Sequence, residues 1–356
     1  MREYGSEHPA IVLPDGYFEN LNKLGREVTY LRSGREGLYY VAQGIKEKKN
    51  PIILFPAYCC WSMSAPFQKA GWEVVYYRLN QDLTVNVEFL KQLLSEHKPD
   101  AVLTMNFYGS AKTVDAVSLV KHECPNCVVV EDFSHCTFSF EDIYNSQVDF
   151  YVTSVRKSVG VTDGGVVIGK KELDYSIINK EVTPFTTNRK DAQLSKCRYA
   201  YSQSERDKGV FLSALRAEEH RLDEFDSVNA ISETGKRMIS ALNGAEIRYA
   251  RSQNMKHALS RLSDKIRIIP GIEKCVNGAP FSLPILVGDR DSVQKQLASK
   301  GVYAPVLWPI CDEARIVCQV SAYVSDHMLS IPIDQRYSYH DIEDIISVVN
   351  EVCIIN

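Results

Sequence analysis

Between residues 52 and 132 the sequence alternates short β-rich runs with segments of helical periodicity. The predicted strands are Ile52–Phe55, Glu73–Tyr77, Ala101–Met105 and Val128–Asp132, and the predicted helices between them are Trp61–Ala70, Val87–His97 and Val114–His122. Strands and helices that alternate in this way form βα units, so the sequence predicts an α/β fold with a mostly parallel sheet. In such sheets, ligands bind outside the carboxyl ends of the strands.

The composition is that of an ordinary globular protein with material for one large unit and a smaller one. The chain has 356 residues, of which 45% are hydrophobic and 24% charged. A net charge of −4 argues against nucleic acid or an anionic membrane as the main partner. No apolar run approaches the ~20 residues of a membrane span, and the first residues lack a signal-peptide core. We therefore expect a cytoplasmic protein.

Ten cysteines are scattered along the chain, which favours reduced thiols over a disulfide framework. Cys124 and Cys127 form a Cys-x-x-Cys pair close to His122, and such a pair can bind metal or do redox work. A structural zinc site needs four ligands, however, and no second pair lies at a suitable spacing. We therefore predict no metal site and interpret the pair as part of a helix-to-strand turn.

After Ile168 the sequence changes character. Residues 171–262 are rich in charge and in helix formers, and the charged residues around Glu218 and Glu219 are typical of a solvated helix face. From about Ile266, short strands alternate with helices again. We predict a large domain over residues 1–235, with the segment to about residue 25 packing on it, and a small C-terminal α+β domain over residues 236–356.

Lys157 lies between two predicted strands that begin at Phe150 and Val166, on a loop that ends in Gly164-Gly165. A lysine in a loop is usually a surface charge. Two further features give this one a chemical meaning. Asp132 ends a predicted strand upstream, and Ser33-Gly34 joins a strand to the N-terminus of a helix, which suits an anion.

A lysine, a carboxylate and an anion site are the groups that an enzyme dependent on pyridoxal 5'-phosphate (PLP) requires. The lysine holds the cofactor as a Schiff base, the carboxylate keeps the pyridine nitrogen protonated, and a helix N-terminus binds the phosphate. The sequence therefore predicts PLP as the cofactor.

Several stretches, in the right order, resemble motifs of fold type I PLP enzymes and, within them, the DegT/DnrJ/StrS family of sugar aminotransferases. They are Ser33–Leu38, Pro56–Tyr58 with Gly71-Trp72, Glu131–His135, Ser154–Lys157 with Asp163–Gly165, and Leu329–Ile333. The resemblance runs from about Arg32 to the C-terminus. It implies a large domain with a mostly parallel seven-stranded sheet between helices and a small C-terminal domain.

The resemblance also implies residue roles. Lys157 would carry the cofactor and shuttle a proton, Asp132 would pair with the pyridine nitrogen, and His135 would lie near the ring oxygen. The phosphate would be held by Ser33, Gly34, Arg35 and Ser154.

Two features depart from the family pattern. Arg35 stands where the family usually has threonine, so a guanidinium could add a contact to the phosphate or to the substrate. The aromatic residue that stacks on the cofactor ring aligns with Cys60, and the adjacent Trp61 is our preferred candidate for covering the ring. Tyr108 and Trp308 are candidates for substrate contacts.

The function implied by the resemblance is transfer of an amino group, usually from glutamate, to a keto-sugar nucleotide. Such a step belongs to the biosynthesis of bacterial cell-surface polysaccharides or related amino sugars. The resemblance further implies a homodimer in which a residue of the partner completes the site. Two alternatives remain open, namely a PLP enzyme acting on a non-sugar amino acid and a non-catalytic relic of the fold.

Overall fold

The computed structural model describes residues 4–5, 17–18, 25–109, 112–181, 183–224 and 227–355. The predicted packing of the N-terminal segment therefore lies largely outside the described residues. The strands are β1 (Tyr4–Gly5), β2 (Glu27–Leu31), β3 (Ile52–Pro56), β4 (Glu73–Tyr77), β5 (Ala101–Met105), β6 (Val128–Asp132), β7 (Phe150–Ser154), β8 (Gly165–Gly169), β9 (Ile178–Asn179), β10 (Val228–Asn229), β11 (Arg267–Ile268), β12 (Leu283–Leu286), β13 (Val302–Tyr303) and β14 (Met328–Ile331). The helices are α1 (Gly34–Gly44), α2 (Trp61–Lys69), α3 (Val87–His97), α4 (Val114–Glu123), α5 (Phe140–Ile143), α6 (Pro184–Ser202), α7 (Glu205–Asp223), α8 (Glu233–Ser240), α9 (Gly244–Arg261), α10 (Arg290–Ser299), α11 (Asp312–Val317), α12 (Gln319–His327) and α13 (Tyr339–Ile355).

Seven strands form the central sheet in the order β2-β8-β7-β6-β5-β3-β4. Strands β3 to β7 pair in parallel, whereas β8 is antiparallel to both of its neighbours, β7 and β2. Strands β5 and β7 are buried along their whole length, as expected for strands of a sheet that is covered on both faces. The predicted α/β fold with a mostly parallel seven-stranded sheet is confirmed.

The parallel strands bring polar residues that are far apart in sequence to one edge of the sheet. Asp132 ends β6 and Ser154 ends β7, and these two strands are hydrogen-bonded neighbours. The turn that carries Lys157 follows Ser154 directly, and β8 then returns antiparallel beside β7. This edge is the place where a ligand is expected in a sheet of this kind.

The C-terminal part is built on a three-stranded sheet in the order β11-β12-β14, in which both pairings are antiparallel. Helix α9 packs against the C-terminal helix α13. Helices α11 and α12 were not foreseen from the sequence, because their six and nine residues are too short for a clear apolar period. The predicted domain boundary between residues 235 and 236 remains a proposal.

The described residues give two further results on the general properties of the chain. None of their helices combines the length and hydropathy that crossing a membrane requires. Within the same ranges, no three histidine, cysteine or acidic side chains lie close enough together to hold a metal ion.

Cys124 and Cys127 are free thiols that close the turn between α4 and β6. The backbone N–H of Cys127 donates to the carbonyl of Cys124 at 2.9 Å. Burial raises the pKa of the Cys127 thiol to about 12, so it stays protonated at neutral pH. A protonated thiol is a poor nucleophile and a poor metal ligand.

Glu131, the residue before Asp132, predicts a pH dependence of stability. Its buried carboxyl accepts hydrogen bonds from Thr113 at 2.7 Å and Thr104 at 3.3 Å, and burial raises its pKa from 4.5 to about 7. The unfolded chain therefore loses this proton at lower pH than the folded one. The stabilisation that Glu131 contributes to the folded state is thus complete below pH 4.5 and falls as the pH rises through 7. Between pH 5 and pH 7 we expect the free energy of unfolding to drop by roughly 2 kcal/mol more in the wild type than in Glu131→Gln. Urea unfolding of both proteins at the two pH values measures this difference, and equal drops would contradict it.

Candidate active site

A cleft of about 540 Å³ opens between the edge of the central sheet and the C-terminal part of the chain. It is lined by Arg35, Cys60, Ser62, His135, Arg156, Lys157, Glu219, Arg251, Phe281, Ser282, Tyr303, Pro305, Leu307, Trp308, Ser330, Pro332, Asp334 and Arg336. Five of the residues predicted from the sequence line this cleft, namely Arg35, Cys60, His135, Lys157 and Trp308. The volume lies in the range of small-molecule and cofactor sites.

Lys157 is half-buried at the end of a single helical turn that follows β7. The loop is closed on one side by a hydrogen bond from the N–H of Val155 to the carbonyl of Gly164 at 2.9 Å. On the other side, the carbonyl of Ser158 accepts from Arg251 at 3.0 Å and from Gln335 at 2.9 Å. The lysine is therefore held at a defined point of the cleft.

Asp132 lies at the end of β6 with only 4% of its surface exposed. Its Oδ1 accepts from the backbone N–H of Ser134 at 2.8 Å. Burial raises the pKa of this carboxyl, while the charge of Lys157 and the contacts with Ser134 oppose the shift. A buried carboxylate of this kind needs a cationic partner, and the protonated nitrogen of a pyridine ring is one.

His135 is buried at the floor of the cleft. Its ring stacks between Phe281 and Trp308, with centroid distances of 4.9 and 5.1 Å. Burial, with a further effect of the Lys157 charge, holds the pKa of the imidazole well below its usual value, so the ring is neutral at neutral pH. Its Nδ1 has no hydrogen-bond partner within the described part of the chain. A neutral imidazole with one unused nitrogen is suited to a hydrogen bond with a ligand oxygen.

Ser33 is the N-cap residue of helix α1 and bonds both the backbone and the side chain of Glu36. Its Oγ donates to the Glu36 carboxylate at 2.9 Å and accepts from the Glu36 N–H at 3.2 Å. The Ser33 side chain is thereby engaged within the protein. The first N–H groups of the helix, at Gly34 and Arg35, lack partners within the helix and are the groups available to an anion.

Gly34 brings this helix N-terminus against Ser154, because a Cβ at Gly34 would lie 2.9 Å from the Ser154 Cβ. The Oγ of Ser154 and the Nε atoms of Arg35 and Arg156 are buried, and none has a hydrogen-bond partner among the described residues. A buried donor without an acceptor costs about 1–3 kcal/mol, so three of them indicate a site for an anionic ligand. With Lys157 and Asp132 nearby, these residues fit PLP.

Six of the eleven predicted site residues are not among those that line the cleft, namely Ser33, Gly34, Trp61, Tyr108, Asp132 and Ser154. For two of these, Trp61 and Tyr108, the placement does not support the predicted role. Trp61 is 56% exposed, whereas its neighbour Cys60 lines the cleft and accepts a hydrogen bond from the Ser62 hydroxyl at 3.1 Å. Cys60 is the N-cap residue of helix α2, in an extended backbone conformation, and its side chain lines the cleft, whereas that of Trp61, the first helical residue, does not. Within this chain, Cys60 is therefore the better placed of the two to lie over a ring.

Tyr108 is fully buried behind His135, at a centroid distance of 4.7 Å. Its φ of 56° turns the backbone after β5 and points the side chain into the protein. The substrate contact predicted for Tyr108 is not supported by this placement, since the side chain supports His135 from behind. Trp308, the other candidate, does lie in the cleft wall.

Several residues of the cleft escaped the sequence analysis. They are Arg156, Glu219, Arg251, Phe281 and Arg336. Only Arg156 carried a local signal, because it directly precedes Lys157. The solvated helix face predicted for Glu219 was wrong, since Glu219 lines the cleft and its carboxylate contacts Arg156 of the cleft and the buried Arg189.

The fold and this set of residues are those of a PLP-dependent aminotransferase. The model of the family described as aminotransferase class V matches residues 21–206, more than half of the sequence. The chain therefore belongs to the class-V aminotransferase family, and the predicted enzyme class and cofactor are confirmed. No protein with a curated description matches the sequence.

Solved structures of aminotransferases have the same fold. One is PseC of Helicobacter pylori, an aminotransferase involved in pseudoaminic acid biosynthesis (12% identity, TM-score 0.69, 100% of both chains covered). Another is the sugar aminotransferase CalS13 of Micromonospora echinospora (12%, 0.65, 99% of both chains). A third is a DegT DnrJ EryC1 StrS aminotransferase of Brucella abortus (14%, 0.62, 95% of this chain and 89% of that chain). These similarities extend over nearly the whole chain and are similarities of fold.

Proposed function

We propose that this aminotransferase moves an amino group from glutamate to a keto-sugar nucleotide. The observation that carries the proposal is that Lys157, His135 and Arg35 at the α1 N-terminus line one cleft, with Asp132 close enough to Lys157 for its charge to act on the carboxyl. When bound there, PLP would supply an electron sink that stabilises charge on the substrate carbon. The structures of sugar aminotransferases that share the fold support the choice of substrate.

The residues of the cleft have distinct roles in this proposal. Lys157 would hold the cofactor and move a proton to and from the reacting carbon, since it is the lysine of the cleft wall. The buried carboxylate of Asp132 would keep the ring nitrogen protonated. The neutral His135 would bind the ring oxygen, and Ser154, Gly34 and Arg35 would bind the phosphate.

The charge of the cleft supports an anionic substrate. Its lining contains the cations Arg35, Arg156, Lys157, Arg251 and Arg336, against the carboxylates of Glu219 and Asp334. The negative charge of a nucleoside diphosphate is complementary to the positive charge of such a surface. The apolar faces of Phe281 and Trp308 would pack against a ring of the substrate.

We further propose that the chain acts as a homodimer. Trp61 is exposed beside the cleft residue Cys60, and a second copy that covers it would bring residues of its own to the rim of the cleft. Analytical ultracentrifugation should then show a dimer at micromolar concentration, and a monomer would contradict this part of the proposal.

Two half-reactions, followed separately, test the proposed function. Glutamate added to the PLP-loaded protein should yield 2-oxoglutarate and shift the absorbance of the cofactor to that of its amine form. A panel of nucleotide-linked keto sugars should then restore the original spectrum, whereas pyruvate and oxaloacetate should not. Recovery with keto acids alone would instead favour a non-sugar substrate. A protein that binds no PLP would contradict both the proposed sugar substrate and the non-sugar alternative.

A further inference from the structure

Arg156 of the cleft and the buried Arg189 share one carboxylate, which comes from a distant helix. Both terminal nitrogens of Arg156 donate to Glu219 of α7, with Nη2 lying 3.0 Å from Oε2. Arg189 of α6 donates to the same side chain at 3.0 Å. One turn further along α7, Asp223 lies 2.7 Å from Arg35. The end of α7 thus closes over the guanidinium groups next to Lys157.

This arrangement fixes the direction of one unused donor. The Arg156 side chain is 8% exposed, and the guanidinium is planar, so binding both terminal nitrogens also orients the Nε–H. That Nε is buried and has no acceptor within the described residues. Since Arg156 lies between Ser154 and Lys157 in sequence, the missing acceptor is expected to be a group of the cofactor.

We infer that Glu219 is a positioning residue for the cofactor phosphate, which it orients Arg156 to bind without touching the phosphate itself. The inference rests on the proposed cofactor site at Ser154 and Lys157. Glu219 also offsets the mutual repulsion of Arg35, Arg156 and Arg189. With Asp223, which pairs with Arg35, Glu219 leaves these three cations with one net positive charge, which favours binding of a phosphate that carries about two negative charges.

The alternative to a positioning role is competition, in which the Glu219 carboxylate takes the N–H donors of the arginines and so weakens phosphate binding. Two features favour positioning. Glu219 bonds only the terminal nitrogens of Arg156 and leaves the buried Nε free, so the two anions would use different donors. The pKa of the Glu219 carboxyl is held at about 2, with burial outweighed by the neighbouring arginines, so the carboxylate stays ionised across the neutral range.

The test compares PLP with pyridoxal, which has the same ring and aldehyde but no phosphate. Both are titrated into cofactor-free protein, and the dissociation constants are measured by absorbance. Glu219→Gln should weaken PLP binding roughly ten-fold, the equivalent of one charge-assisted hydrogen bond, and leave pyridoxal binding unchanged. A purely structural role would change both constants alike and would overturn the inference, as would tighter binding of PLP.

Two further variants complete the experiment. Glu218→Gln removes a charge one residue away on α7, where the carboxylate bonds Asn188 at 2.9 Å and Arg221 at 3.3 Å, and should leave both constants unchanged. In an Arg156→Met background, Glu219→Gln should cause no further loss of the preference for PLP, because its effect acts through Arg156. If Glu219→Gln lowered the preference for PLP as much in the Arg156→Met background as in the wild type, the inference would be overturned. A wild type that does not prefer PLP to pyridoxal would instead contradict the proposed cofactor site, and the inference with it.

Discussion

Replacing Lys157 with alanine is expected to lower the turnover number roughly a thousand- to ten-thousand-fold. The variant should also lose the cofactor that borohydride fixes to the wild-type chain. The physical reason is that, in the proposed function, this one amine would both hold the cofactor and transfer the proton at the reacting carbon. Because the side chain is only half-buried on a loop anchored by other residues, the fold itself should persist.

Mass spectrometry after borohydride treatment, together with an assay of the glutamate half-reaction, measures both effects. Lys171→Ala is the matched control, because this lysine is exposed and lies after β8 outside the cleft. It should retain the label on Lys157 and full activity. A Lys157→Ala protein that still traps the cofactor and turns over would disprove the assigned role.

Arg251→Met is expected to reduce the free energy of unfolding by about 3–5 kcal/mol. Arg251 is 1% exposed and donates to the carbonyls of Ser158, Pro280 and Phe281 at 3.0, 3.0 and 3.1 Å. Its Nε donates to Gln335 at 2.7 Å. Methionine fills much of the volume but leaves these buried acceptors without their donors.

Arg248→Met provides the control on the same helix, α9. Arg248 pairs with Asp142 at 2.7 Å, but its side chain is 30% exposed, so water can replace the lost contact. We expect a loss below about 1 kcal/mol for this variant. Urea unfolding followed by circular dichroism compares the two proteins. Equal losses would show that the carbonyls around Arg251 do not depend on its guanidinium.

The sequence predicted the sheet well, because the information is local. Strands such as Ala101–Met105 and Val128–Asp132 are short apolar runs with breaks at both ends, and their predicted bounds match the structure. The ends of parallel strands meet at one edge by geometry alone. For this reason the sequence alone associates Lys157 with Asp132.

The remainder of the site depends on contacts between distant residues, and local periodicity does not encode these. Glu219 lies 63 positions from Arg156, and on its own helix it looks like one more surface charge. Arg251 reaches the carbonyl of Ser158 across 93 positions. Cys60, not Trp61, faces the cleft because Cys60 precedes the first residue of α2, and periodicity does not fix a helix start to one residue.

The buried Glu36 of α1 links the order of the anion site to a segment of the chain that is synthesised much later. Its Oε1 accepts from the N–H and the Nδ2 of Asn229 at 3.1 and 2.7 Å, although the two residues are 193 positions apart. A nascent chain that has not yet delivered Asn229 would leave this carboxylate buried without two of its donors. The α1 N-terminus would then be fully ordered only after Asn229 has been synthesised. Cofactor binding would follow the folding of residues 27–229 and would not guide it.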